Sequence, residues 1–262
     1  MREGSETDAS GVRVPRIQLR IRERHLDFIE QFLAYVADHG AAHATLANLA
    51  ERSDYSKATW YNHFASVDEL WSAVACINSA MQLSYFGACA EVELSADARK
   101  ILILSAYLQH SISNPVIWKL ATIHRMREAQ PSEAKDAALL ALEGQVRATV
   151  VGFMRQGTGS RLPEATVIRR TDIARALVSG FGNFAALGRE FRWSEAARGE
   201  DMLHAIAVQL ADLGLVENLE CDTEAIWDHA TAIVAATTSQ WRSVALDALP
   251  GSDHPLRRSD AG

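Results

Sequence analysis

Residues 45–70, TLANLAERSDYSKATWYNHFASVDEL, read as two short helices, a tight turn and the start of a third helix. The Thr45 hydroxyl can accept from an orphan amide near Asn48, and Leu46, Leu49 and Ala50 give the first helix an apolar face. Ser53 and Asp54 make the turn, with Asp54 expected in the left-handed region because a short polar side chain lowers its steric cost. Ser56 caps the second helix, whose Trp60 and Phe64 lie four apart on one face, with Tyr55 joining them inside. Lys57, Thr59, Tyr61, Asn62 and His63 are left toward the outer face. That set lacks carboxylates and is rich in groups that donate to phosphates and base edges. A helix-turn-helix reader of DNA needs such an arrangement.

Working outward, residues 24–38 form a helix by the recurrence of Leu26, Ile29, Phe32, Leu33 and Val36, ended by Gly40. Its apolar stripe can cover the backs of the two short helices. Ser66 and Glu69 form a capping box in which Glu69 returns a bond to the amide of the cap, and the helix they open carries Leu70, Val74, Ile77 and Met81 on one stripe. Ahead of the first helix Arg13, Arg16, Arg20, Arg22 and Arg24 face a single acid, Glu23. Residues 1–21 are therefore expected as a flexible basic arm, which either enters a minor groove or forms a solvated basic face.

The run LAERSDYSKATWYNHFASVDEL, residues 49–70, resembles the DNA-binding signature of tetracycline-repressor-type (TetR family) regulators: an alanine-rich helix, a turn, a Ser-Lys start, a Tyr-x-His-Phe end and an acidic capped helix. At motif level the resemblance covers about a tenth of the chain. Asp54 and Ala58 stand where small glycines are common, Trp60 where leucine is common, and Val67 where a lysine often meets a phosphate. The resemblance implies an all-α protein with a helix-turn-helix DNA-binding head (22–70) and a larger ligand-binding and dimerisation body (71–249). The tail, 250–262, is polar and expected to be disordered. Thr45, Ser56, Lys57, Thr59, Tyr61, Asn62 and His63 are then the DNA-binding candidates, Lys57 and Tyr61 on phosphates with His63 in support, Thr59 and Asn62 on base edges.

Composition bounds the rest. A chain of 262 residues with 48% hydrophobic content can bury a sizeable core, and its net charge of −7 excludes a protein that coats nucleic acid over its whole surface. Three scattered cysteines supply no disulfide framework and no zinc spacing, and nine unclustered histidines propose no metal. No signal core and no membrane span is read, so a cytoplasmic location is expected. With no nucleophile elbow and only loop or helix-end carboxylate pairs, the chain is not expected to be an enzyme, and no catalytic residue and no cofactor is assigned.

Beyond residue 70 the period is helical, with helices expected at 95–113, 115–129, 132–156, 163–191, 194–214 and 222–249. In proteins similar to this one such helices surround an apolar ligand cavity, which makes His110, Trp118, His124, Met126, Phe153, Phe181 and Phe184 the ligand-binding candidates as a set; each taken alone suits plain core better than a ligand wall. The small-residue segment ALVSGFGNFAALG, with Leu203, Ile206 and Leu210 or Trp227, Ile233, Val234 and Trp241, could form a four-helix interface of the homodimer that the resemblance implies. The same glycines also suit internal packing. The function expected is a ligand-responsive transcription regulator, a repressor released from a palindromic operator by a mostly apolar small molecule. The alternative is a helical ligand-binding or protein-interaction module with a degenerate DNA-binding head.

Overall fold

Apolar residues recurring three and four apart, with polar caps between the runs, produce an all-α fold. The computed structural model describes residues 5–7, 13–126, 133–185, 199–219 and 221–249. A three-residue antiparallel pairing of β1 (Ser5–Thr7) with β2 (Arg13–Pro15) precedes the helices, Ser5 facing Pro15. The described helices are α1 (Arg16–His39), α2 (Leu46–Glu51), α3 (Lys57–His63), α4 (Val67–Ala90), α5 (Ala96–Ser113), α6 (Pro115–Met126), α7 (Glu133–Met154), α8 (Glu164–Ala185), α9 (Gly199–Asp212), α10 (Thr223–Ser239) and α11 (Trp241–Ala248). The expected tail at 250–262 lies outside the described residues.

The helices form two compact units, one of Met1–Ala80, Lys119–Leu142 and Trp241–Gly262, the other of Met81–Trp118 and Glu143–Gln240. The first is larger than the head read from the sequence, since it also takes part of α4, the α6–α7 connection and α11. Its α1 begins at Arg16, well ahead of the expected start at Arg24, so Arg20, Arg22 and Arg24 are helical and residues 16–21 are no arm. After Pro15 nothing interrupts a helix, and arginine is a good helix former. Leu26, Phe28, Ile29, Phe32, Tyr35 and Val36 are buried, while Leu33 is only half-buried. Gly40 ends α1 with φ 81°, its amide donating to the Val36 carbonyl at 2.9 Å. From α11, Arg242 forks between Asp27 and Glu30 of α1, each at 2.6 Å.

The stripe expected on α4 is part of a helix buried all round from Leu70 to Gln82, polar Ser72, Asn78, Ser79 and Gln82 included. Glu69 reaches past the cap: its carboxylate accepts from the Ala65 amide at 2.9 Å. In α7, contrary to the expectation of no such stretch, residues Ala137–Met154 have a mean hydropathy of 1.3 and the length of a membrane span; 28% of it is buried. Glu143 and Arg147 near its middle would be costly in hydrocarbon.

In the second unit α5 is central and packs against α8, α9 and α10. Leu203, Ile206, Leu210 and Val234, expected at a dimer interface, are at most 1% exposed and belong to the core of the second unit. The single long helix expected over 222–249 is two, separated at Gln240. Gly182 lets α8 approach α5 closely, because a Cβ there would meet Ser111 Oγ at 2.5 Å and Ser111 Cβ at 2.9 Å. Lys100 is wholly buried, its ammonium donating to the Leu215 carbonyl at 2.6 Å and to Asp97 Oδ1 at 3.1 Å. The other Asp97 oxygen accepts from the amides of Glu217 and Asn218 at 3.0 and 3.1 Å, clasping the turn after α9 to the start of α5. Burial by itself would raise the Asp97 pKa, but the Asn218 and Glu217 amides and the Lys100 ammonium outweigh it and hold it below the ordinary carboxylate value.

Gly182→Ala is expected to cost about 2 kcal/mol by overpacking, read as a lowered midpoint in urea with an unchanged slope. Asp97→Asn leaves a buried ammonium short of its counter-charge and is expected to cost about 3 kcal/mol at pH 7. Because the folded pKa lies below the unfolded one, the contribution is complete above the unfolded value and disappears as pH falls through the folded value. Urea titrations of both proteins should therefore converge in acid.

Candidate nucleic-acid interface

The outward face of α3 is made by what its inward face must bury. Thr45 Oγ1 accepts from the Asn48 amide at 3.1 Å to start α2, and the Asn48 side chain donates to the His43 carbonyl at 2.9 Å. A capping hydroxyl of this kind accepts and keeps its own O–H to donate. The α2–α3 turn uses no left-handed residue: among the described residues only glycines have positive φ, so the expectation for Asp54 does not hold. Ser53 Oγ instead accepts from the Tyr55 amide at 3.1 Å, a side-chain turn that replaces the backbone one. Ser56 Oγ then accepts from the Thr59 amide at 3.2 Å and lies 2.8 Å from Thr59 Oγ1.

Trp60 and Phe64 are 0% exposed, and Phe28 of α1 packs 4.3 Å from Trp60 and 4.8 Å from Tyr55 between ring centroids. With that side closed, Ser56, Lys57, Ala58, Tyr61 and Asn62 are exposed, Tyr61 by 48%. Lys57 Nζ lies 5.9 Å from the Tyr61 ring centroid, which brings a cation and a phenol to one spot on the surface. Of the seven candidates, Thr59 and His63 are the more withdrawn, both half-buried. The Thr59 hydroxyl is engaged by the Ser56 cap. The His63 ring is 4.8 Å from that of Phe28 and 6.0 Å from that of His25. Burial first, and the Arg24 guanidinium second, push the His63 pKa below its ordinary value, so near neutrality this ring offers a hydrogen bond and no charge.

Two cations outside the seven candidates stand close to these helices. Arg24 lies 6.0 Å from the Tyr55 ring centroid, and Arg52, at the end of α2, is 5.7 Å from that of Tyr35 with Nη1 2.6 Å from His39 Nε2. The signal for Arg24 is its place one turn before Phe28 on α1. Phe28 itself was missed from the apolar stripe.

The ligand candidates divide between the units. His110, Trp118 and Phe153 are buried in the second, where Phe181 and Phe184 pack against the same core. His124 is buried in the first unit, and Met126, 79% exposed at the end of α6, cannot wall an enclosed cavity. Several buried polar side chains of the second unit pair with one another, while Gln109 Oε1 is buried without a partner among the described residues. Asn114 donates to Thr238 at 2.9 Å and lies 3.3 Å from His110 Nδ1, Gln109 donates to Thr231 at 2.9 Å, and Trp118 Nε1 donates to Asn183 at 3.4 Å. A surface hollow of about 620 Å³ between Arg147 of α7 and Ile168, Arg169, Asp172 and Ile173 of α8 includes none of the seven candidates. A second, of about 470 Å³, is edged by Asp27, Glu30, Asp54 and Tyr55. Among the described residues no three His, Cys, Asp or Glu side chains gather as metal ligands. Burial pushes the Cys89 thiol up to about 12, which makes it a poor nucleophile.

No family model matches the chain, and no curated protein matches it.

Replacing Arg24 by Gln should raise the pKa of His63 yet leave it under the ordinary histidine value, since burial is the larger cause. An NMR titration of the His63 ring in both proteins checks the order of the two effects.

Proposed function

We propose that the chain is a ligand-responsive transcription regulator of the TetR type, a repressor that reads a near-palindromic operator as a homodimer in the cytoplasm. The observation that carries this is the two-faced α3: Trp60 and Phe64 fully buried behind it, Lys57, Tyr61 and Asn62 exposed in front, with no carboxylate on the helix. Lys57 and Tyr61 suit phosphate oxygens. Asn62 can pair in bidentate fashion with adenine N6 and N7, and Thr59 can turn its hydroxyl from the Ser56 cap to a base edge. A helix of seven residues buries little by itself. Two copies on one duplex, about 34 Å apart, convert the second contact into an intramolecular one, which favours a dimer on a two-fold operator.

In this proposal the effector is a mostly apolar small molecule with a few polar anchors, taken into the body near His110, Trp118, Phe153, Phe181 and Phe184. The seam around Gln109, His110 and Asn114 holds the Gln109–Thr231 and Asn114–Thr238 bonds and one buried acceptor without a partner among the described residues, Gln109 Oε1, so a ligand entering there would meet that acceptor and would have to replace the bonds it breaks. Its differential affinity for the opened arrangement is what would shift operator affinity. Helix α4 is the covalent route for that coupling, with residues to Ala80 in one unit and from Met81 in the other.

Titration of labelled duplexes with purified protein over a range of salt concentrations tests the proposal. Lys57→Ala should weaken binding to all sequences alike and lower the salt slope by about one, whereas Asn62→Ala should cost about 1–3 kcal/mol at one base position and relax preference there. A wild-type chain with neither salt slope nor sequence preference would instead support a helical binding module with a degenerate head.

A further inference from the structure

Helix α1 carries Arg20 and Arg24 in its first turns, four residues apart and both exposed. The next residue on that stripe, Phe28, is fully buried and meets Tyr55, Trp60 and His63 at centroid distances of 4.8, 4.3 and 4.8 Å. Side chains four apart on a helix share a face. The face of α1 that is covered by α3 at Phe28 therefore emerges beside α3 at Arg24 and continues to Arg20, whose Cα is about 12 Å along the axis from that of Phe28. The Arg24 guanidinium already lies 6.0 Å from the Tyr55 ring centroid, next to the residue that caps α3.

The helical state of these residues also decides how they can meet a duplex. An arm that reads a minor groove must be thin, since the groove is about 6 Å wide, and a helix with its side chains is about 10–12 Å across. Residues from Arg16 onward are helix. Of the acids nearby, Asp27 and Glu30 on α1 are held by Arg242 at 2.6 Å, which leaves Glu23 among the arginines and Asp54 beside Tyr55.

We infer that Arg20 and Arg24 form a two-rung phosphate clamp on α1, gripping the DNA backbone beside the major groove that α3 enters and contributing affinity without sequence preference. The clamp rests on the regulator function proposed above and supplies cations near the head where Val67 brings none. The probe is a 30-base-pair duplex enriched by the full-length wild-type chain from a random-sequence library, with dissociation constants measured from about 50 to 300 mM KCl.

Arg20→Ala/Arg24→Ala is expected to reduce the salt slope by about two, at roughly 0.9 per phosphate contact, with base preference and circular dichroism unchanged. Arg20→Lys/Arg24→Lys should recover the slope. A double-alanine protein that keeps the wild-type slope overturns the clamp, as does a loss confined to duplexes with A·T-rich flanks, which would mean minor-groove reading. If Lys57→Ala weakens binding while the arginine pair does nothing, the clamp alone falls. If the wild-type chain enriches no duplex, the regulator function falls and takes the clamp with it.

Discussion

Phe28 is the contact on which the head depends. Its ring is completely enclosed and touches aromatic residues from the α2–α3 turn through α3 to its end, from Tyr55 to Phe64. A seven-residue helix cannot persist in water by its own hydrogen bonds, since nucleation fixes several dihedrals for the first bond. What makes α3 a rigid platform is the set of offset and edge-on ring contacts behind it, anchored by Phe28 and closed by Trp60. The pattern of exposed side chains on the front of α3 is a consequence of that packing.

The second unit is built on a different principle. Its centre mixes a large apolar cluster with buried polar groups, several of which are given a local partner: Lys100 by Asp97 and the Leu215 carbonyl, Asn114 by Thr238, the Gln109 amide nitrogen by Thr231. Such pairs add little net stability but penalise any arrangement that separates them. They therefore specify which turn of α10 faces which turn of α5. Gly182 adds a steric constraint of the same kind where α8 passes Ser111.

What was legible beforehand follows the range of the interactions. Thr45, Ser56, Gly40 and Pro115 act within a turn of themselves, and the caps and stops they imply are where the sequence predicts them. Trp60 and Phe64 were readable from spacing alone. Asp54 was misread because the hydroxyl of its neighbour Ser53 closes the turn, a choice between two local solutions that composition does not rank. Glu69 accepts from the Ala65 amide, one residue before the cap, a bond the capping box does not include. The wall residues suffered most, because a histidine, tryptophan or methionine at helical spacing looks the same whether it ends in a cavity, in a core or, as Met126 does, in water. The start of α1 at Arg16 was hidden by charge, which reads as a solvated arm even when no residue interrupts the helix.

The fork of Arg242 across Asp27 and Glu30 ties the last described helix to the first, over 215 residues in the case of Asp27. A ribosome adding about 5–20 residues per second takes on the order of ten seconds or more to cover that interval. During translation the amino-terminal helices thus emerge long before the strap that will cross them, and they must wait for it with the acids of α1 bare.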